Sequence, residues 1–263
     1  MVIVVIRWEL GIFLVRALIW VLCLFAAYKV NAKPNLHVKF ASADILYVSE
    51  HHKYHNEGMA IELIEQMSRQ MNFSYEILYY PWSRAIQVMA QNKADVLIGV
   101  YYTPGRAKLM NYGSVPIYTD EIRLFSRPQN PFKWQGNINQ LNDLTIALIR
   151  GGSYGQTLDA YLENMNVVYV SSVAQQFKLL NKKRVDLTAN NVRNTWPILA
   201  NLQLEQAVKS HQPVLTKQPG YFAFAKVSKH KNLMLKFDRF LNKKQQSGEL
   251  QALQKQFIPS RAN

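Results

Sequence analysis

The feature that most constrains the fold is an alternation of strand-like and helix-like segments between residues 36 and 100. Apolar residues recur at helical spacing across Met59–Met71, which predicts a helix with one buried face. Residues 36–41 and 73–79 alternate between apolar and polar side chains, and residues 95–100 form a short apolar run. Both patterns are typical of strands. Strand–helix–strand order of this kind predicts a parallel α/β sheet.

The remaining segments continue the same pattern without repeating the sequence. Pro81 should end the strand at 73–79, and Ser83 is expected to cap the helix that follows. In the second half, Ser172 is expected to cap another helix. Further strands are predicted at residues 144–149, 167–170, 185–189 and 221–225, and further helices at residues 154–164, 172–180, 233–241 and 249–257.

Composition and charge exclude several classes of function. Hydrophobic residues make up 49% of the chain, enough for a packed core, so this is not a disordered protein. The net charge is +14, but the basic residues are spread out and no nucleic-acid-binding motif is present. We therefore predict no nucleic-acid partner and interpret the charge as a generally basic surface.

Residues 1–32 have the composition of an export signal. An apolar run at 17–27 precedes small residues at Val30 and Ala32, as before a signal-peptidase cleavage site. The segment before Arg16 is unusually long and apolar, so an uncleaved anchor or a start codon assigned too early are the alternatives. The only cysteine, Cys23, lies inside this segment, so the exported protein would have no disulfide or thiol chemistry. We expect a periplasmic protein.

Four short motifs in order resemble one known family. They are GMAIELIE at 58–65, YPWSRA at 80–85, ADVLIG at 94–99 and TPGRAK at 103–108. This order resembles the bacterial extracellular solute-binding proteins of the polar-amino-acid type, family 3, and the resemblance covers nearly all of the chain after residue 33. It implies an α/β, two-lobed type II periplasmic binding fold with a ligand cleft between the lobes. Lobe 1 would hold residues 33–123 plus 224–263, and lobe 2 residues 127–219.

The resemblance implies that Arg106 grips the carboxylate of a ligand. A planar guanidinium can donate two parallel charge-assisted hydrogen bonds to a carboxylate, so the chemistry suits the role. Gly105 stands where the family most often has an acidic residue, which alters the local loop. The alternative is a surface arginine in a charged turn with Lys108.

Two further segments match ligand-binding positions of the family. Gly152 and Ser153 follow a predicted strand and precede a predicted helix, where free backbone N–H groups can bind an anion. The alternative is a plain glycine turn with Ser153 as a cap. Asn191 matches an aspartate that pairs with the ligand's ammonium group, and asparagine cannot supply that charge. We therefore expect the ligand's carboxylate to matter more than any amino group.

Aromatic residues and histidines complete the set of candidates. Plausible cleft aromatics are Trp82, Tyr101, Tyr102 and Tyr118, although a core or surface role is as good an interpretation for each. His51, His52 and His55 belong to an expected surface loop without ligand spacing. No metal site and no cofactor are predicted.

The sequence thus predicts a monomeric receptor for a small-molecule ligand, with an ABC permease or a sensor in the inner membrane as its partner, and no catalysis. One alternative is an enzyme on the same fold, a cyclohexadienyl-type dehydratase, for which Asp44, Glu50 and Glu57 are the candidate acids or bases. Another is a sensory receptor without an importer.

Overall fold

One mixed sheet organises the residues that this computed structural model describes, 36–226 and 232–258. The predicted export signal lies outside the described residues. The strands are β1 (Leu36–Ser42), β2 (Glu50–His51), β3 (Asn56–Glu57), β4 (Phe73–Tyr79), β5 (Val96–Tyr101), β6 (Met110–Tyr112), β7 (Tyr118–Ser126), β8 (Thr145–Ile149), β9 (Asn166–Val170), β10 (Leu187–Asn191), β11 (Lys209–Ser210) and β12 (Thr216–Ala225). All but β2 and β3 belong to the sheet, in which the main order is β4-β1-β5-β12-β7-β10-β8-β9.

The sheet contains two groups of parallel strands joined by two long antiparallel strands. In the first group, β1 pairs in parallel with β4 and β5, and in the second, β8 pairs in parallel with β9 and β10. Strands β7 and β12 pair with each other and reach both groups, because β12 also pairs with β5 and β7 also pairs with β10. The chain therefore crosses between the groups along this antiparallel pair.

Helices follow most of the parallel strands. They are α1 (Met59–Met71), α2 (Trp82–Ala90), α3 (Pro104–Ala107), α4 (Gln156–Tyr161), α5 (Val173–Asn181), α6 (Val192–Asn201), α7 (Leu233–Gln246) and α8 (Glu249–Phe257), with 3-10 turns at Ile138–Leu141, Leu162–Asn164 and Glu205–Ala207. No helix in the described part of the chain combines the length and the apolar character that a membrane span requires.

Buried apolar side chains form separate clusters on the two groups of strands. Phe40, Leu63 and Phe237 belong to a cluster beside the first group, drawn from residues before 119 and after 221. Phe125 and Phe177 belong to a cluster beside the second group, drawn from residues between 125 and 208. Each group thus has an apolar core of its own, which is the condition for two semi-independent bodies.

Several elements predicted from the sequence are confirmed. Helix α1 spans Met59–Met71 and strand β4 spans Phe73–Tyr79, with the predicted bounds. Ser172 caps α5, since its hydroxyl accepts a hydrogen bond from the Gln175 amide. Helix α8 also has the predicted bounds, while α7 continues past residue 241 to Gln246.

Other predicted boundaries are wrong, each for a local reason. Ser83 is not a cap, because α2 begins at Trp82 and the Pro81 carbonyl already accepts from the Arg84 amide. The strand predicted at 185–189 is β10, Leu187–Asn191, because the Asp186 carboxylate instead accepts from the Thr145 amide ahead of the strand. The helix predicted at 154–164 is the shorter α4 followed by a 3-10 turn.

Candidate functional site

A cavity of about 640 Å³ lies where the parallel strands of both groups end. Its walls include the residues that follow β1, the ends of β4, β5, β8 and β10, and the start of α5. In open α/β sheets ligands bind beyond the carboxyl ends of the strands. The volume also falls within the range of about 300–1,000 Å³ that is usual for small-molecule sites.

Arg106 reaches this cavity from the short helix that follows β5. The Thr103 hydroxyl caps α3 by accepting from the Arg106 amide at 3.1 Å, which fixes the backbone below the side chain. The Arg106 side chain is buried, with the residue only 7% exposed. Its Nη1 donates to the Tyr101 carbonyl at 2.9 Å and its Nη2 to the Gly151 carbonyl at 2.8 Å. Burial lowers the pKa of Arg106, but the group stays cationic at neutral pH.

The two carbonyls that Arg106 contacts each have a second donor. Trp82 Nε1 donates to the Gly151 carbonyl at 3.0 Å, and the Tyr112 hydroxyl donates to the Tyr101 carbonyl at 3.0 Å. A guanidinium has five N–H donors, so two bonds leave three for another acceptor. The guanidinium carbon also lies 5.5 Å from the centre of the Trp82 ring. Arg106 could therefore turn toward an anion without leaving either carbonyl unsatisfied.

The loop at Gly152 and Ser153 lines the cavity, and two of its polar groups already have partners. The Gly152 amide donates to the Ile149 carbonyl at 2.9 Å, closing a turn in which Gly151 has a φ of 73°. The Ser153 hydroxyl donates to the Asp159 carboxylate at 2.5 Å. The helix that follows begins only at Gln156. The loop therefore shapes the wall, and a ligand contact by either residue stays a prediction.

Asn191 also lines the cavity, at the junction of β10 and α6. Its side-chain oxygen caps α6 by accepting from the Asn194 amide at 2.7 Å. The neighbouring Asn190 donates to the Gln176 side chain at 2.9 Å, which holds the end of β10 against α5. What Asn191 presents to the cavity is a neutral amide, with no charge to attract an ammonium group.

Arg193 is a cavity residue that the sequence did not indicate. Its Nε and Nη2 donate to the two carboxylate oxygens of Asp120 at 2.9 and 2.7 Å, and both residues are almost fully buried. Its Nη1 donates to the Leu46 carbonyl and to the Asn194 side-chain oxygen. Burial opposes the charge, but the Asp120 carboxylate outweighs it and raises the pKa of Arg193. In the sequence, Arg193 and Asp120 are only a basic and an acidic residue 73 positions apart, so no local pattern pointed to this ion pair.

Three of the four predicted aromatics line the cavity. Trp82, Tyr101 and Tyr118 form part of its wall. The Tyr101 hydroxyl donates to Asp120 at 2.5 Å, so this ring also supports the buried ion pair. Tyr102 does not line the cavity: it is 54% exposed and packs its ring edge-on against Tyr112, 5.2 Å between centres.

One acidic residue, Asp44, lines the cavity among the described residues. It follows β1, is exposed, and accepts from the His51 amide at 3.1 Å. His51 lines the cavity as well and stacks on Tyr79, 4.6 Å between ring centres. Glu50 and Glu57, the other acids considered from the sequence, are not among the lining residues. The cavity thus combines two buried arginines, an exposed carboxylate and largely apolar walls.

Residues 41–260 match the model of the family described as bacterial extracellular solute-binding proteins, family 3. No curated protein matches the chain by sequence. Among solved structures, a histidine kinase sensor domain with similarity to periplasmic binding proteins is 17% identical, with a TM-score of 0.73 over 86% of this chain and 97% of that one. A structure on glutathione import via GshT and the cystine ABC importer TcyBC of Streptococcus mutans is 18% identical, with a TM-score of 0.71 over 86% and 98%. An ancestral amino-acid-binding protein, a precursor of cyclohexadienyl dehydratase, is 19% identical, with a TM-score of 0.67 over 84% and 95%. At such identities the similarity concerns the fold alone.

Proposed function

We propose that this chain, which belongs to the bacterial extracellular solute-binding proteins of family 3, is a receptor that closes on a small, carboxylate-bearing ligand. The chain has the α/β fold of type II periplasmic binding proteins. The observation that carries the proposal is a buried arginine, Arg106, that lines the cavity with three N–H donors to spare. A ligand carboxylate would supply the direct ion pair that Arg106 does not form with any described residue.

The proposed lobes are residues 33–123 plus 224–263 and residues 127–219. Two observations support this division: the separate apolar clusters and the antiparallel pair of β7 and β12, along which the chain crosses twice. Contacts also run between the proposed lobes beside the cavity, because Trp82 and Arg106 both donate to the Gly151 carbonyl. Such contacts can form only when the lobes are close, so they would break and re-form as the cleft opens and closes.

The ligand that fits these groups is a small amino-acid-like molecule. Its carboxylate would meet Arg106, and a positively charged group, if present, would meet the exposed carboxylate of Asp44. Apolar and aromatic walls, with Trp82 and Tyr118 among them, would cover the rest of the ligand. Since Asn191 offers no charge, we expect the carboxylate to contribute more to affinity than an amino group.

We place this receptor in the periplasm, where a permease of an ABC importer or a sensor would recognise its closed form. A structure described as the substrate-binding protein of an amino acid ABC transporter has a TM-score of 0.68 to this chain, and the sensor domain noted above has the same fold. Export depends on residues 1–32, and mass spectrometry of the periplasmic protein should find a mature N-terminus at Lys33. An intact Met1 on a membrane-bound form would contradict cleavage.

An enzyme on the same fold is the second candidate function, and one observation favours it. Asp44 places a carboxylate at the cavity, where a general acid or base for a dehydratase would have to lie. A turnover assay with cyclic carboxylate precursors of aromatic amino acids separates the two functions. A receptor should bind such compounds, if at all, without converting them. In that case wild type and Asp44→Asn should both show no turnover.

A thermal-shift screen of amino acids, organic acids and polyamines tests the proposed function. A ligand present at about 100 times its Kd should stabilise the protein by about 2.7 kcal/mol. Small-angle X-ray scattering with the selected ligand should show compaction as the lobes close. Stabilisation by polyamines but by no carboxylate-bearing compound would contradict the proposed ligand class, and an unchanged scattering profile at saturation would contradict closure.

A further inference from the structure

A short hairpin beside the cavity gathers two histidines and two acids on one face. Strands β2 and β3 pair Glu50 with Glu57 and His51 with Asn56, and the turn is closed by the His52 amide donating to the His55 carbonyl at 3.0 Å. Side chains alternate between the faces of a strand and lie beside their cross-strand partners. The opposite face carries His51, which lines the cavity.

The donor atoms on the first face lie close enough to share one ion. His52 Nε2 lies 3.0 Å from one carboxylate oxygen of Glu57, and His55 Nε2 lies 3.5 Å from the other. One ligand atom from each of the three residues lies within 4.8 Å of the others. A tetrahedral Zn²⁺ with bonds of about 2.0–2.2 Å needs ligand atoms about 3.4 Å apart, so small side-chain rotations suffice.

One of these donor atoms has no hydrogen-bond partner among the described residues. The Nε2 atom of His52 is shielded from solvent and makes no hydrogen bond with any described residue, although Glu57 lies 3.0 Å away and Glu50 lies 3.8 Å away. The other carboxylate oxygen of Glu50 accepts from the Tyr47 amide at 2.6 Å, which holds that side chain in place. The imidazole rings of His52 and His55 stack with their centres 5.0 Å apart, and the Nε2 atoms of both rings lie beside the Glu57 carboxylate.

We propose that His52, His55 and Glu57 bind a transition-metal dication such as Zn²⁺. Two imidazoles and a carboxylate suit Zn²⁺ and its neighbours in the transition series, whereas Ca²⁺ and Mg²⁺ prefer all-oxygen ligand sets. Three protein ligands leave a fourth position for water or for another group, because His55 and Glu57 are exposed to solvent. The ion would lie on the hairpin that also contributes His51 to the cavity wall. The site does not depend on the identity of the cavity ligand.

Zinc binding to the full chain, purified without a polyhistidine tag, tests the site by calorimetry with Zn²⁺ alone. The wild-type protein should bind one ion, and His55→Ala should lower the affinity by at least about 100-fold, since even the loss of an outer-shell partner costs about 10- to 100-fold. Glu57→Gln should lower it as well. Two control variants should not: His37→Ala removes an exposed histidine elsewhere, and Tyr54→Ala changes the exposed tip of the same hairpin.

Absence of zinc binding, or equal binding by wild type and His55→Ala, would overturn the proposal. X-ray absorption spectroscopy of the zinc-loaded wild-type protein gives a second readout that needs no variant to fold. We expect two imidazole nitrogens and carboxylate oxygen at about 2.0–2.2 Å. A shell of oxygen atoms without imidazole would place the ion elsewhere and would equally exclude this site.

Discussion

Arg106 and Arg193 are both buried beside the same cavity, but their surroundings differ. Arg193 donates four hydrogen bonds, two of them to the Asp120 carboxylate and the others to Leu46 and Asn194. Arg106 donates two side-chain bonds, both to carbonyl groups, and forms no ion pair with a described residue. Removing a buried arginine that is paired with a buried carboxylate is costly, whereas a buried arginine with spare donors and no ion pair can bind an anion.

The two arginines also differ in what their removal leaves behind. Without Arg193, the buried Asp120 carboxylate keeps a side-chain bond from the Tyr101 hydroxyl but no charge partner. Without Arg106, the carbonyls of Gly151 and Tyr101 keep their bonds from Trp82 and Tyr112. Stability should therefore respond mainly to Arg193 and ligand affinity mainly to Arg106.

The largest effect is expected for Arg193→Met, which should lower the free energy of unfolding by about 3–5 kcal/mol because it leaves a buried carboxylate unpaired. Urea unfolding measures it. Arg69→Met is the matched control, because Arg69 forms an exposed pair with Glu65 that should be worth about 0.5 kcal/mol or less. Adding Asp120→Leu to Arg193→Met should recover part of the loss. A loss from Arg193→Met no larger than that of the control would contradict the structural role.

Arg106→Ala should weaken ligand binding by about 2–5 kcal/mol, since the ligand's carboxylate loses its charge partner in a desolvated site. Arg106→Lys should restore binding only in part, because an ammonium cannot reproduce the two parallel bonds of a guanidinium. Calorimetry measures both variants, and urea unfolding should find each more stable than Arg193→Met. Unfolding losses as large as that of Arg193→Met would remove the distinction between the two arginines.

A smaller effect is expected for Trp82→Phe, which removes the hydrogen bond to the Gly151 carbonyl and weakens the contact of the ring with Arg106. Ligand affinity should fall by about 0.5–1.5 kcal/mol. Combined with Arg106→Lys the loss should be non-additive, because both side chains bond the same carbonyl. Trp196→Phe, away from the cavity, serves as the control. Strict additivity in calorimetry would count against a shared role for Trp82 and Arg106.

The smallest expected effect is on the pH dependence of the free energy of unfolding, and it comes from His211, which does not line the cavity. Burial, with Lys209 nearby, lowers the pKa of His211, so this imidazole resists protonation in the folded state more than in the unfolded state, where its pKa is about 6.5. Stability should therefore be complete above pH 6.5 and decline as the pH falls toward the folded-state pKa. His211→Gln, which can still bond the Ser126 hydroxyl, should flatten this decline below about pH 6.5 in urea unfolding. An identical decline in the variant would exclude His211 as its source.

Local patterns were enough to predict α1, β4 and α8, because helical or alternating periodicity over several residues needs no knowledge of the rest of the chain. Helix α6 was not predicted, and Pro197 lies inside it. Without that helix, the sequence could not predict where the Arg193 side chain lies. Its partner Asp120 is 73 residues away in sequence. Ion pairs of this kind depend on which strands pair, which a local pattern does not reveal.

In the candidate site, too, features that follow from local sequence patterns were predicted and features that depend on strand pairing were not. Most of the predicted site residues do line one cavity, because they follow parallel strands whose ends meet. Tyr101 and Tyr102 are neighbours at the end of a strand, so their side chains point to opposite sides and only Tyr101 lines the cavity. The cluster of His52, His55 and Glu57 was missed because cross-strand pairing in a hairpin, rather than helical spacing, brings these side chains together.

Calorimetry with the ligand selected by the thermal-shift screen and with its decarboxylated analogue tests the role of Arg106 most directly. Wild-type protein should bind the ligand much more tightly than the analogue, and Arg106→Ala should bind both about equally weakly, because the carboxylate and the guanidinium act on each other. If the analogue binds wild type as tightly as the ligand does, or if Arg106→Ala leaves the affinity unchanged, then Arg106 is not the carboxylate partner. In that case the cavity would recognise its ligand mainly through Trp82 and the tyrosines.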